Sequence, residues 1–279
     1  MLDKNYLNQG FRLDGRSPLI NRSLTILIGS KGGFCDLTQG KTRIIVLSFV
    51  TPSIISRQFS FHKVCFSFKF FCESVMKKSL TFFPQNKINF FFLSQYTLPF
   101  SNFLKNWNLD RKIAKILGFN PKLEFKIGII ENDGNLQDLI ALGICLTLKS
   151  LEMPYIEFHG QSGLLRWKIN NKKWLNENEI FFICNSFSIR EIFDGSPLVL
   201  MDPDYSEEFC SNSLVSIFIE GQYKIKQIKH GYNNGLSEEI LLIIYRTSLK
   251  NFSFLGKLLK RLLTQKILNP VNKEIVILA

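Results

Sequence analysis

Alanine, histidine and acidic side chains are scarce in this sequence: 3 Ala and 3 His occur among 279 residues, and 23 Asp plus Glu stand against 35 Lys plus Arg. No stretch reaches the ~18 uncharged apolar residues that a membrane-spanning helix needs. The longest candidates, Leu139 to Leu148 and Ile88 to Leu93, fall well short. The opening residues Met-Leu-Asp-Lys-Asn-Tyr contain no apolar core of a secretory signal, so a soluble, intracellular chain with no membrane partner is expected. None of the six cysteines, at 35, 65, 72, 145, 184 and 210, belongs to a Cys-x-x-Cys pair, and only Cys65 stands near a histidine, His62. Without ligand spacing no metal and no cofactor is expected, and the thiols read as small, reduced, buried hydrophobes.

What the chain does have is apolar bulk. Hydrophobic residues make up 46% of it and 27 are Phe, enough for a packed core to offset the conformational entropy of folding and to exclude a disordered chain. The length suits one large domain or two small ones. Phe, Ile, Lys and Asn share AT-rich codons, and 25 Lys against 10 Arg lean the same way, so the Phe and Lys content reflects codon usage more than function. A net charge of +12 still attracts polyanions, because Lys beside phosphates releases condensed counterions; the bland alternative is basic drift of the whole composition.

Local patterns predict an α+β chain. Leu24 to Ile28 alternates as a strand, and Phe34 to Leu37 can pair with Arg43 to Val50 across Thr38 to Thr42. Pro52 to Phe61 reads as a loop and Val64 to Phe71 as a strand. A helix is expected over Phe100 to Leu117, a strand over Leu123 to Ile130, and a central helix over Leu136 to Leu151, apolar on most sides and stopped by Pro154. Asp138 lies in its first turn, where a carboxylate meets the positive end of the helix dipole. Strand patterns return at Gly160 to Trp167, Ile180 to Ile189, Pro197 to Met201, Leu214 to Glu220 and Tyr223 to Ile228. Ser237 can cap a helix running to about Lys250, followed by a basic amphipathic tail. Strands followed by a helix in each half suggest one α+β unit built twice.

Few residues carry an obvious chemistry. Gly40-Lys41-Thr42 lacks the preceding glycine of a phosphate-binding loop, that position being Cys35, and it leads into a strand rather than a helix. A hairpin turn is the simpler reading. Two acidic clusters, Asp133 with Asp138 and Asp202-Pro203-Asp204 with Glu207 and Glu208, can bind a divalent cation or serve as general acid and base, or they are solvated turn residues. His62 can stack on a base or simply sit at the surface. No Ser-His-Asp or Cys-His arrangement suggests itself.

Taken in order, five segments resemble the RNase PH family: Arg12-Leu13-Asp14-Gly15-Arg16, Gly40-Lys41-Thr42-Arg43, Asp133-Gly134-Asn135-Leu136-Gln137-Asp138, Val199-Leu200-Met201-Asp202-Pro203, and Glu207-Glu208. The likeness is to the RNase PH-like ring subunits of the eukaryotic RNA exosome, and it runs from Arg12 to about Ser248, with Glu73 to Asn120 matching poorly. It implies the RNase PH fold, which resembles the second domain of a small-subunit ribosomal protein: two βα halves around a central helix. The halves would span 12–155 and 156–250, with 251–279 as a basic amphipathic C-terminal extension.

Active members of that family remove nucleotides from an RNA 3′ end by phosphorolysis. They hold the attacking phosphate with a Thr-Arg pair at the start of the central helix, and they use two acids near the Asp-Pro strand end. The resemblance places Leu136 and Gln137 at the phosphate positions, Asp202 at the first acid and Asn212 at the second. Neither Leu136 nor Gln137 replaces a guanidinium, and Asn212 cannot ionise. No catalytic residue is therefore expected, and the four positions read as a vestigial site. The implied role is a non-catalytic subunit of a hetero-hexameric ring of RNase PH-like proteins, with RNA-binding cap subunits and RNA as partners. The ring would guide RNA for 3′-to-5′ degradation and rRNA processing in the nucleus and nucleolus, with the cytoplasm left open. Arg57 and Lys63, in a loop on the side where the family meets RNA, are the candidate phosphate contacts, or else a solvated loop.

Two other readings stay open at this point. One is an active phosphorolytic exoribonuclease, if the positions of Leu136, Gln137 and Asn212 are misaligned; the other is a basic RNA-binding protein outside any ring. The tail Phe252 to Leu268 could close the protein's own core, meet a partner subunit, or lie on a membrane surface.

Overall fold

The computed structural model describes residues 12–29, 33–52, 65–72, 121–159, 164–173, 181–192, 195–221, 223–231, 236–268 and 273–277. Strand β1 (Leu24–Ile28) buries Leu24, Ile26 and Ile28 on one face, the period-2 burial its alternation predicts. It pairs antiparallel with β2 (Phe34–Gln39), setting Ile26 opposite Leu37, and β2 pairs with β3 (Thr42–Pro52). Next to β3 runs β5 (Pro121–Glu131), antiparallel, and β5 pairs in parallel with β4 (Cys65–Cys72).

The central helix α1 (Leu136–Ser150) packs against β2 and β3 of this first sheet and against β8 (Phe182–Glu191) of a second. Contact on both sides explains its apolar circumference, since Leu139, Ile140, Ile144 and Leu148 are all fully buried. At Gly143 an added Cβ would lie 2.6 Å from Val46 Cγ2, so glycine is what lets the helix approach β3 this closely. The second sheet has the order β11-β10-β8-β9, with β9 (Pro197–Met201), β10 (Ser213–Glu220) and β11 (Lys224–Gly231) all antiparallel to their neighbours. Between β9 and β10 lies a short helix, α2 (Tyr205–Cys210).

Helix α3 (Glu238–Leu268) packs on β8, β9 and β10. Successive β8 residues point to opposite faces: Ser186 bonds to Asp138 on α1, whereas the Asn185 amide donates to the Ser248 carbonyl on α3. With a helix on each face, β8 is buried along Phe182–Arg190 and exposed only at Glu191.

The structure departs from the sequence reading in four places. Helix α1 ends at Ser150, one residue short of the expected Leu151, but Pro154 is not what stops it: Leu151 turns to extended backbone, and β6 (Glu152–His159) follows at once, pairs with β7 (Leu164–Lys173) and carries Pro154 within it. Helix α3 runs unbroken through residue 250, because Ile240, Ile244, Ser248 and Phe252 form one buried stripe across that point. The segment expected as an extension after residue 250 is thus the continuation of a packed helix. It leads to β12 (Lys273–Ile277), which pairs antiparallel with β1 and completes the first sheet in the order β12-β1-β2-β3-β5-β4. Helix α2 stands where turn acids were one of the readings. The helix expected over Phe100 to Leu117 lies outside the described residues, and among those residues no helix is long and apolar enough to cross a membrane.

Candidate functional site

The acids after β9 are built into the protein, not solvated. Asp202 is fully buried and adopts a φ of +52°, an uncommon backbone state for a residue with a side chain. It ends β9, and the chain then enters α2 through a capping box: the Asp204 carboxylate accepts from the Glu207 N–H at 2.8 Å, and the Glu207 carboxylate accepts from the Asp204 N–H at 3.0 Å.

Three arginines ahead of β1 converge on this corner. Arg22 Nη2 donates to Asp202 Oδ1 at 2.8 Å, and Arg22 Nε and its own N–H donate to Oδ2 at 3.1 and 2.7 Å. Arg22 Nη1 donates to the Asp133 carbonyl at 2.8 Å, which ties the strand end to the turn before α1. Arg16 Nη1 reaches Asp202 Oδ2 at 3.3 Å. Arg12 donates to both carboxylate oxygens of Glu207, at 2.9 and 2.7 Å, and to the carbonyls of Met201 and Asp202. Burial by itself would lower the Arg22 pKa, but the hydrogen bonds and charge of Asp202, with Asp133 and Asp204, raise it.

The N-terminus of α1 closes the other side. Gly134 has φ +87°, and an added Cβ there would lie 2.5 Å from the Asp204 carbonyl carbon, so the turn and the start of α2 touch backbone to backbone. Asn135 follows at φ 55°; its amide donates to Asp202 Oδ1 at 2.6 Å, and its N–H donates to Glu208 Oε1 at 2.7 Å. Thr42 locks the turn from the first sheet, its Oγ1 donating to the Gly134 carbonyl and accepting from the Asp133 N–H. Burial raises the Glu208 carboxyl above its ordinary range, against the lowering effect of the Asn135 N–H. Burial likewise raises Glu207, opposed by Arg12.

One turn further along, Asp138 accepts from Ser186 N–H at 2.9 Å and Ser186 Oγ at 2.7 Å. Burial still pushes its carboxyl up to about 7, because those bonds offset only part of the desolvation. Ser186 Oγ lies 3.0 Å from Ser216 Oγ, which donates to Gln137 Oε1 at 3.4 Å.

The positions expected to form a vestigial site differ in their surroundings. Leu136 is 3% exposed and belongs to the core. Gln137 is buried, with Nε2 unpartnered among the described residues. Asn212 is exposed in the turn before β10, its N–H donating to the Ile189 carbonyl at 2.9 Å, whereas Asp202 is buried. The carboxylate that shares Asn135 with Asp202 is Glu208. Arg57 and Lys63 lie outside the described residues. Among those residues no three His, Cys, Asp or Glu side chains gather as a metal would require. Sequence reasoning did not find the roles of Arg12, Arg22 and Glu208. The Asp204-x-x-Glu207 spacing was the available sign that α2 exists and that its acids turn inward.

By sequence, no family model and no curated protein matches the chain. By structure, it resembles an exosome from Archaeoglobus fulgidus with RNA bound to the active site, at a TM-score of 0.64 and 14% identity over 92% of this chain and 97% of that one. An archaeal exosome core matches at a TM-score of 0.57 and 16% identity, covering 93% of this chain and 96% of that chain. Rrp46 from rice, Oryza sativa, matches at 0.55 and 13% identity, over 91% of this chain and all of that one. The chain has the RNase PH fold. Within that fold, the Asp202 corner joins the N-terminus of the central helix, the end of β9 and the segment ahead of β1.

Proposed function

We propose that this protein is a non-catalytic subunit of an exosome-type ring, in which it guides RNA past its surface toward a separate nuclease for 3′-to-5′ degradation and rRNA processing. The observation that carries the reading is the start of α1. A phosphorolytic site needs a cation there to hold inorganic phosphate, but Leu136 is core and Gln137 offers a neutral amide bonded to Ser216. Asp202 is also held by Arg22, Arg16 and Asn135, so neither of its oxygens is without a partner. The net charge of +12 suits RNA passage through phosphate contacts that position without reading sequence. The partners in this reading are other RNase PH-like subunits, RNA-binding cap proteins and RNA, in the nucleus and nucleolus.

One observation favours the alternative, an active phosphorolytic exoribonuclease. Glu208, raised by burial, shares Asn135 with Asp202, so two carboxyls occupy this corner even with Asn212 unable to ionise. The deciding assay is phosphate-dependent release of nucleoside diphosphates from an RNA 3′ tail by the purified protein with its co-purifying ring partners. The scaffold reading expects the rate to be unchanged by Glu208→Gln. Turnover that Glu208→Gln abolishes overturns it.

A further inference from the structure

Strand β9 pairs with β8 only along Phe187–Glu191. The first half of β8 is therefore flanked by β10 on one side and, among the described strands, by none on the other. Beside this edge, which α1 meets at Ser186 through Asp138, lies a cavity of about 390 Å³, within the roughly 300–1,000 Å³ typical of small-molecule sites. Leu136, Gln137, Asp202 and Glu208 are not among its lining residues, but Arg22, which holds Asp202, and Asp138 are, so the cavity adjoins the corner described above.

The backbone direction at this edge follows from the hydrogen bonds of Ser186. Its N–H donates to Asp138 and its carbonyl accepts from the Asp202 N–H at 3.1 Å, so both groups point away from β10. Backbone groups alternate in direction along a strand. The N–H and carbonyl of Cys184, two residues earlier, therefore also point away from β10, and Cys184 lines the cavity. Asp138 lines the inner end; near neutral pH its carboxyl, raised to about 7, both donates and accepts. A chain of amides fixes one side: Asn21 Nδ2 donates to Asn251 Oδ1 at 3.4 Å, and Asn251 Nδ2 donates to Asn185 Oδ1. Leu24, Leu142 and Leu255 supply apolar walls.

The rim carries a second, independent pattern. Phe254 lines the cavity and is 54% exposed. Lys250 and Lys257, four residues before it and three after, are exposed on the same stripe of α3. An aromatic ring between two lysines, above a slot that ends in paired donors and acceptors, has the parts that a nucleotide engages: a flat face, a readable edge and a charged phosphate.

We propose that this cavity binds a nucleobase, with the base edge on the Cys184 backbone and Asp138, the ring against Phe254, and the attached phosphate between Lys250 and Lys257. The base belongs either to a free mononucleotide or to an unpaired nucleotide of single-stranded RNA.

Calorimetric titration of the purified full chain tests this with four probes: adenosine 5′-monophosphate, uridine 5′-monophosphate, ribose 5-phosphate and a single-stranded RNA of about ten nucleotides. Saturable binding of a mononucleotide or of the RNA is expected, weakened roughly tenfold or more by Phe254→Ala, and weakened by Lys250→Ala with Lys257→Ala in a way that fades at high salt. All three side chains are exposed, so these variants fold. A mononucleotide that binds as tightly as the RNA marks a free nucleotide as the occupant, and RNA binding at least ten times tighter marks the strand. Three results overturn the proposal: no saturable binding of any probe, ribose 5-phosphate binding as well as the nucleotides, or Phe254→Ala and Asn251→Ala both binding as the unaltered protein does.

Discussion

Arg12 and Glu207 lie 195 positions apart and share two hydrogen bonds, at 2.9 and 2.7 Å, with both side chains fully buried. This fork fixes the segment ahead of β1 to α2, and the remaining guanidinium nitrogen is taken up by the Met201 carbonyl at 2.9 Å. Breaking such a pair leaves a charge buried without its counter-ion, which costs about 3–5 kcal/mol. Arg12→Ala is expected to lose stability of that order in urea denaturation, and Arg12→Met combined with Glu207→Leu to recover most of it. A loss below about 1 kcal/mol for the single change would show that the pair is effectively solvated.

Asp138 predicts a pH dependence with a definite sign. Its folded-state pKa of about 7 lies above the ordinary 3.8, so across that interval the folded protein holds a proton that the unfolded chain has released. Stability from this group is complete below about pH 4 and is lost as pH rises toward 7. The groups around the carboxyl are Ser186 and Cys184 from β8, Asn135 from the preceding turn, and the charge of Asp202. The difference in melting temperature between Asp138→Asn and the unaltered protein should therefore change steadily across pH 4–7 and level off above it. A constant difference over that range would mean that Asp138 titrates normally.

Gly134→Ala is expected to destabilise on two counts. The position has φ +87°, and the added carbon would meet the Asp204 carbonyl carbon at 2.5 Å and the Tyr205 nitrogen at 2.6 Å. The backbone conformation alone costs roughly 1–3 kcal/mol, and relieving the overlap pushes α2 away from α1. Gly15→Ala is the control, because φ is +73° there but nothing lies within 4 Å. Equal losses for the two variants would leave the strain as the whole effect and remove the contact from the account.

Ending the chain after Leu268 removes β12 and leaves β1 as an edge with unpaired backbone groups. Exposed edges recruit other strands. Such a chain is expected to melt lower and to self-associate with rising concentration in light scattering. A monomeric product with unchanged melting would show that β12 contributes nothing to the sheet.

How much of this was legible in the sequence depends on the range of the interaction. The β1 to β3 meander and β9 could be read because alternation and turn chemistry are local, and α1 because a helix between two sheets must be apolar all round. Three features were hidden by distance. The Arg12–Glu207 fork joins residues from opposite ends of the fold; β12 finds β1 only after α3 has carried the chain back; and α2 is six residues long, with a capping box as its one local mark. The placing of Glu208 beside Asp202 was hidden for a similar reason. Counting along the chain passes through α2, and the helix turns Glu208 inward while Asn212 stays at the surface.

Because α1 lies against β2 and β3 on one side and β8 on the other, the two sheets do not have separate interiors. Neither sheet can leave the helix without stripping the same side chains of half their surroundings. Unfolding should therefore proceed in one step across both halves, and hydrogen exchange of the amides of both sheets and circular dichroism of the helices should report a single midpoint.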